Sequence, residues 1–162
     1  EIARLFNVPS LAASVGALSA CKTRAFDVGC LNKRHYFLTA AVFPKKSAFQ
    51  FKSYTVSSRH PDHHVSVCNA DIYRTHGSAA LIAPDDGVLD AIIAHHPGRG
   101  FMDRFKPEGP AGEYVPESFF PIKKITVKCA SKTVSVFADA EKQLTSPIEV
   151  EVAKGALTAI VG

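Results

Sequence analysis

The chain has 162 residues, 46% hydrophobic and 21% charged, a composition that fits one globular domain and argues against disorder. Its net charge of +4 is scattered, with Lys45-Lys46 and Lys123-Lys124 the densest spots, which excludes a basic nucleic-acid arm or a polybasic membrane patch and leaves only weak phosphate contact with nucleic acid. No apolar run reaches the ~18 residues of a spanning helix, and no secretory leader opens the chain, so a membrane partner is not expected; Glu1 in first place fits a trimmed start or a cut from a longer precursor.

In chain order, a short helix is expected over residues 2–6, before Pro9. Short runs rich in Val, Phe, Tyr and Thr follow, and they read as strands at residues 14–20, 24–30, 36–42, 48–56 and 65–68. Asp85-Asp86 can cap a helix of a turn or two through Val88, Leu89, Ile92 and Ile93, which Pro97-Gly98 would stop. The Pro- and Gly-rich stretch 97–116 reads as a connector. Residues 122–128 and 133–137 alternate with period two around Ala130-Ser131-Lys132, a hairpin pattern. Ile148, Val150 and Val152 alternate with Glu149 and Glu151, and Ala153-Lys154-Gly155 would turn the chain into a partner strand over 156–161. The fold class is therefore all-β, mostly antiparallel, a barrel or a sandwich with one or two short helices. The whole of 1–162 reads as one compact unit, with halves 1–96 and 117–162 on either side of the connector.

Few constellations suggest chemistry. Arg59-His60-Pro61-Asp62-His63-His64 packs three imidazoles and a carboxylate into six residues, so His60, Asp62, His63 and His64 are the candidate metal ligands. Pro61 opposes the helix that would make such ligands converge, and adjacent His63 and His64 on a strand point to opposite faces; a polar loop is the simpler reading. His95-His96 reads as a solvated helix end. Gly98-Arg99-Gly100 lacks the rest of a dinucleotide loop, and no Walker-type loop or G-x-S-x-G elbow exists, so no cofactor is expected. Glu149 and Glu151 share a strand face, more simply a wet face than an acid–base pair. Cys21, Cys30, Cys68 and Cys129 contain no C-x-x-C and read as mostly buried thiols of a reducing compartment.

The run Gly29-Cys30-Leu31-Asn32-Lys33-Arg34-His35-Tyr36-Phe37-Leu38-Thr39-Ala40-Ala41 resembles the first barrel of chymotrypsin-like proteases, where an apolar strand ends T-A-A-H. Asn69-Ala70-Asp71-Ile72 resembles that family's N-x-D-I. Ser146-Pro147-Ile148-Glu149-Val150, followed by Gly155-Ala156-Leu157-Thr158-Ala159-Ile160-Val161-Gly162, resembles the hairpin after its nucleophile. The resemblance implies a double β-barrel, with a single β-sandwich or jelly roll as the alternative. It also implies that Val42, Asp71 and Leu144 stand where base, orienter and nucleophile would be. Valine accepts no proton and leucine has no nucleophilic atom. The expectation is therefore a non-catalytic, protease-like domain that binds a protein partner or assembles with itself, within a viral polyprotein. The alternatives are a structural coat subunit with a β-sandwich fold and a hydrolase using Cys129 or Cys68 with a histidine. A cytoplasmic or virion location follows from these readings.

Overall fold

The computed structural model describes residues 6–59, 63–70, 83–95 and 115–162. They form one α-helix and twelve strands in two six-stranded sheets, and every pairing in both sheets is antiparallel. The all-β expectation holds at this level. The double barrel does not: the sheets are open, and each mixes strands from before and after residues 97–116.

Helix α1 spans Leu11–Ala20, where a strand was expected over residues 14–20. Ala and Leu favour helix, and Ser10 caps it: its hydroxyl accepts from the Ala13 N–H at 3.2 Å. Cys21 ends it in a left-handed conformation, its N–H donating to the Ala17 carbonyl.

The first sheet runs β2 (His35–Phe37), β1 (Thr23–Leu31), β12 (Ile148–Ile160), β9 (Lys124–Lys128), β4 (Ala48–Gln50), β5 (Thr55–Val56). The second runs β11 (Ala140–Thr145), β10 (Thr133–Ala138), β3 (Ala40–Val42), β6 (His63–Cys68), β7 (Leu89–His95), β8 (Val115–Ile122). The long ladder is β1 against β12, from Thr23 opposite Ile160 to Leu31 opposite Val150. The expected C-terminal hairpin is thus a single 13-residue strand. The expected hairpin at residues 122–137 is also redrawn, since β9 and β10 lie in different sheets. Similarly, the run 36–42 divides at Leu38-Thr39, where the chain crosses between sheets. The Asp139 carboxylate holds that crossing by accepting from the Leu38 and Thr39 N–H groups.

The core lies between the sheets around Phe37, Phe43, Phe49, Val65, Val127 and Ile148. The helix expected after Asp85-Asp86 is instead strand β7. Leu89, Ala91, Ile92, Ile93 and Ala94 are all buried on it, and a run buried on both faces has no period by which to tell strand from helix. Asp86-Gly87 is the turn before it: the Asp86 carboxylate accepts from the Val88 N–H at 2.9 Å, and Gly87 has φ +77°.

Candidate functional site

The site is built around a charged residue in an apolar strand. Asp27 sits in β1 where the ladder with β12 shifts register between Phe26 and Val28. The extra residues of this bulge, 154–156, lie on β12 opposite Asp27, and Asp27 is only 1% exposed. Its Oδ2 accepts from the Gly87 N–H at 2.5 Å and its Oδ1 from the Gly155 N–H at 2.7 Å. Both glycines have positive φ, +77° and +60°, where L side chains are strained. One buried carboxylate thus clamps the Gly87 turn and the Gly155 bulge of β12, satisfying the charge with two strong hydrogen bonds.

The Asp27 backbone ties in two further segments. Its N–H donates to the Pro84 carbonyl at 2.6 Å, and its carbonyl accepts from Asn69 Nδ2 at 2.8 Å. Asn69 Nδ2 also donates to the Leu38 carbonyl at 3.0 Å. Asn69 is fully buried, and among the described residues its Oδ1 has no hydrogen-bond partner. The middle of β1, the residue just past β6, the turn before β7 and the Gly155 bulge of β12 therefore meet at one place.

Charges surround this node. Asp85 pairs with Arg24, whose guanidinium lies 5.4 Å from the centre of the Phe26 ring. The Lys154 side chain passes beside Gly87. Asp90, at the start of β7, is half-buried; burial first, and then the Asp86 carboxylate, hold its carboxyl above the usual carboxylate range. Two cations and three carboxylates thus border the Asp27 node, and the raised Asp90 carboxyl is the group among them best suited to take up or release a proton.

The residues singled out from sequence lie elsewhere. Val42 is on β3, opposite Phe137 and Ser66; Leu144 is on β11, opposite Val134, and buried in the core. They belong to one sheet with β10 between them, so no cleft between two barrels brings them together. Asp71, His60, Asp62, His96, the glycines at 98 and 100, and residues 97–114 of the connector lie outside the described residues, as do residues 2–5 of the expected N-terminal helix. His63 and His64 are both buried on β6. His63 Nε2 lies 3.2 Å from the Ser47 carbonyl, while burial, and then the neighbouring His63, push His64 down to about 4. Among the described residues no three His, Cys, Asp or Glu side chains come together to hold a metal ion. None of the four cysteines is in a disulfide. Cys68 is fully buried, its thiol 3.7 Å from Ser66 Oγ; Cys129 is part-buried, its N–H donating to Ser146 Oγ. Glu149 and Glu151 face Lys124 on the neighbouring strand, at 2.7 and 3.5 Å. The Glu149 hydrogen bond is the main cause that raises the Lys124 ammonium, and the same bond lowers the Glu149 carboxyl.

The sequence reading missed Asp27, Gly87 and Gly155. A lone Asp in the apolar run Ala25-Phe26-Asp27-Val28 was the available signal, because an unpaired buried charge is too costly to be accidental. Asp86-Gly87 is a turn signal that the expectation of a helix cap at Asp85-Asp86 passes over.

No family model and no curated protein matches the chain. Solved structures do. A diacylglycerol kinase of Bacillus anthracis strain Sterne superposes with a TM-score of 0.68 at 15% identity, over 99% of this chain and 62% of that one. Two further structures described as diacylglycerol kinases of the same strain give 0.70 and 0.69 at 15% and 16% identity, again over 99% of this chain and 65% of each of theirs. The chain spans a little under two thirds of the length of these structures. The likeness is one of fold, and it overturns the chymotrypsin-like resemblance together with the pseudoprotease, viral and coat-protein readings that hung on it. The Cys129 or Cys68 hydrolase is set aside by the same finding, and so is the leaning toward a chain with no enzymatic part. Among the described residues no helix is long and apolar enough to cross a membrane.

Proposed function

We propose that the chain is part of a lipid kinase of the diacylglycerol kinase type, which transfers a phosphoryl group to the hydroxyl of a membrane lipid. The observation that carries this reading is the superposition of 99% of the chain on structures bearing that name. The Asp27 node supports it. Phosphoryl transfer is mostly positioning and electrostatic stabilisation, and the Asp27 carboxylate, by accepting from the Gly87 and Gly155 N–H groups, ties together the segments that carry Asp86, Asp90 and Lys154. In this reading Lys154 faces phosphate oxygens and Asp90 accepts the proton of the lipid hydroxyl. The chain carries no Walker-type or dinucleotide loop, and in this reading the phosphoryl donor is assigned to polypeptide beyond the matched span.

The test is transfer of label from γ-labelled ATP to diacylglycerol in mixed micelles, with this chain and with the longest native polypeptide that contains it. Labelled phosphatidate is expected in the arm that contains the donor site. Folded protein that labels no lipid in either arm overturns the reading. Asp90→Asn is expected to lower the rate about tenfold or more with the fold intact.

A further inference from the structure

The lysines form no run in the sequence, yet the fold gathers four of them. From Val28 to Pro61 the chain carries Lys33, Arg34, Lys45, Lys46, Lys52 and Arg59 and no carboxylate. From Ser118 to Ala138 it carries Lys123, Lys124, Lys128 and Lys132 and again no carboxylate. Each of these acid-free stretches contains a connector that crosses between the sheets. Residues 43–47 lead from β3 in the second sheet to β4 in the first, and residues 129–132 lead from β9 in the first sheet to β10 in the second. The register of β4 against β9 sets the two crossings side by side, with Ala48 opposite Lys128. Lys45, Lys46, Lys128 and Lys132 are thereby brought to one end of the β4–β9 pair, and all four are exposed.

A pocket of about 260 Å³ opens between the two connectors. Pro44 and Lys45 line one side of it, and Ala130, Ser131, Thr133, Val134 and Ser135 line the other. Among the described residues the lining thus holds one ammonium, three hydroxyls and no carboxylate. One carboxylate reaches the lining from outside: Glu141 Oε1 accepts from Ser135 Oγ at 2.6 Å. It repels an anion from the Ser135 end, which leaves Lys45, Ser131 and Thr133 as the donors.

The walls are held by bonds that do not use these donors. Ser47 Oγ donates to the Pro44 carbonyl at 2.7 Å. Ser146 braces the second connector twice, its N–H donating to the Lys132 carbonyl at 2.8 Å and its Oγ accepting from the Cys129 N–H at 2.9 Å. The donors therefore project from braced backbone, which lowers the ordering cost of binding.

Size and charge select the ligand class. Sites for whole small molecules span about 300–1,000 Å³, so this pocket suits a headgroup rather than an entire ligand. A phosphate monoester carries about −1.5 to −2 charge at neutral pH and three strong acceptor oxygens. Lys45, the three neighbouring ammonium groups and the hydroxyls match both properties. A nucleic acid binds through a track of phosphates, whereas the lining has room for one.

We propose that the pocket between Pro44-Lys45 and residues 130–135 binds a phosphate monoester group, carried either by a lipid headgroup or by a soluble phosphorylated molecule. No residue of the Asp27 node lines it. It is a second site, and it does not rest on the lipid kinase reading.

The test is equilibrium dialysis of the longest native polypeptide that contains the chain against radiolabelled glycerol 3-phosphate at constant ionic strength. Flotation with phosphatidylcholine vesicles, with and without phosphatidate, runs beside it. Saturable binding is expected, weakened about tenfold or more by Lys45→Ala and by Ser131→Glu. Ser131 is exposed, so the second variant keeps the test open if the first fails to fold. Lys22→Glu, an exposed charge change outside the pocket, is expected to leave binding unchanged. Flotation that needs both phosphatidate and Lys45 assigns the group to a lipid headgroup. Binding of the soluble ester without such flotation assigns it to a soluble ligand, and either result upholds the site. Binding of neither probe, an equal loss in Lys22→Glu, or no loss in Lys45→Ala and Ser131→Glu overturns it. So does a duplex oligonucleotide that binds more tightly than either probe and loses that affinity in both pocket variants.

Discussion

At the scale of single residues, most of the distinctive chemistry sits in groups that hold backbone rather than groups that face solvent. Asp27 is the clearest. Replacing it with Asn presents an amide N–H₂ to at least one of two N–H donors, which turns a charge-assisted bond into a clash of donors. A loss of about 2–3 kcal/mol in urea unfolding is expected. The glycines separate two physical effects. A Cβ on Gly155 would meet only Ala25 Cβ at 3.9 Å, so Gly155→Ala should cost only the left-handed strain, about 1–2 kcal/mol. A Cβ on Gly29 would sit 1.9 Å from Phe37 Cζ, because the ring lies across the glycine directly opposite it in the β1–β2 pair. Gly29→Ala must displace a fully buried aromatic and is expected to cost about 3 kcal/mol or more. Equal losses for the two alanine variants would refute this distinction.

At the scale of elements, β6 is the strand most exposed to pH. It is buried along its whole length. Val65 and Val67 face the core between the sheets, while Cys68 joins Ala40, Ile92 and Ala94 in a second cluster. His64 has its pKa lowered from 6.5 to about 4 by burial, and next by His63. The folded state thus takes up this proton less readily than the unfolded chain. The stability is fully present above pH 6.5, is lost progressively as pH falls toward 4, and is flat for this group below that, with a total of about 3 kcal/mol. Urea midpoints across this window should show the slope, and His64→Gln should flatten it. A wild-type midpoint that does not change between pH 7 and pH 4.5 would refute it. The contrast with Lys124 is instructive: its contacts with Glu149 and Glu151 lie on the exposed face of the first sheet, where solvent screens them. The β9–β12 pair is expected to depend little on them, with hydrogen exchange at Ile125 and Val150 unchanged in Lys124→Ala.

At the scale of the whole molecule, the topology is dominated by pairings between distant parts of the chain. β1 pairs with β12, β3 with β10, and β4 with β9. Such a fold closes its core only when both ends of the sequence are in place, and non-local pairing of this kind folds slowly. The thiols provide a direct readout of that closure. Cys21 is exposed, Cys129 part-buried, and Cys30 and Cys68 buried; burial first, and then Glu151, raise the Cys30 thiol further. With DTNB, one thiol is expected to react at once, a second more slowly, and the remaining two only on the timescale of global unfolding. Fast reaction of all four in native buffer would show that the two sheets are not closed on each other.

The sequence alone determined that the chain is β-rich and where many of its strands run. Alternation in β9, β10 and the first half of β12 reports a half-buried pleat directly, since the side-chain period of a strand is two. It did not determine partnership. Strands β9 and β10 are adjacent in sequence and alternate alike, yet they belong to different sheets, because pairing is decided by which distant strands share a core. Nor could it separate helix from strand in the stretches without a clear period: a strand is expected where α1 forms and a helix where β7 forms, the first decided by the Ser10 cap and the second by burial on both faces. The candidate site lies at the far end of the same limit. Asp27, Asn69, Gly87 and Gly155 are scattered over 129 positions, and only the pairing of distant strands makes one buried carboxylate the common acceptor of the Gly87 and Gly155 N–H groups. The short patches that resembled a protease were local strings, and local strings carry strand propensity without saying which sheet a strand enters.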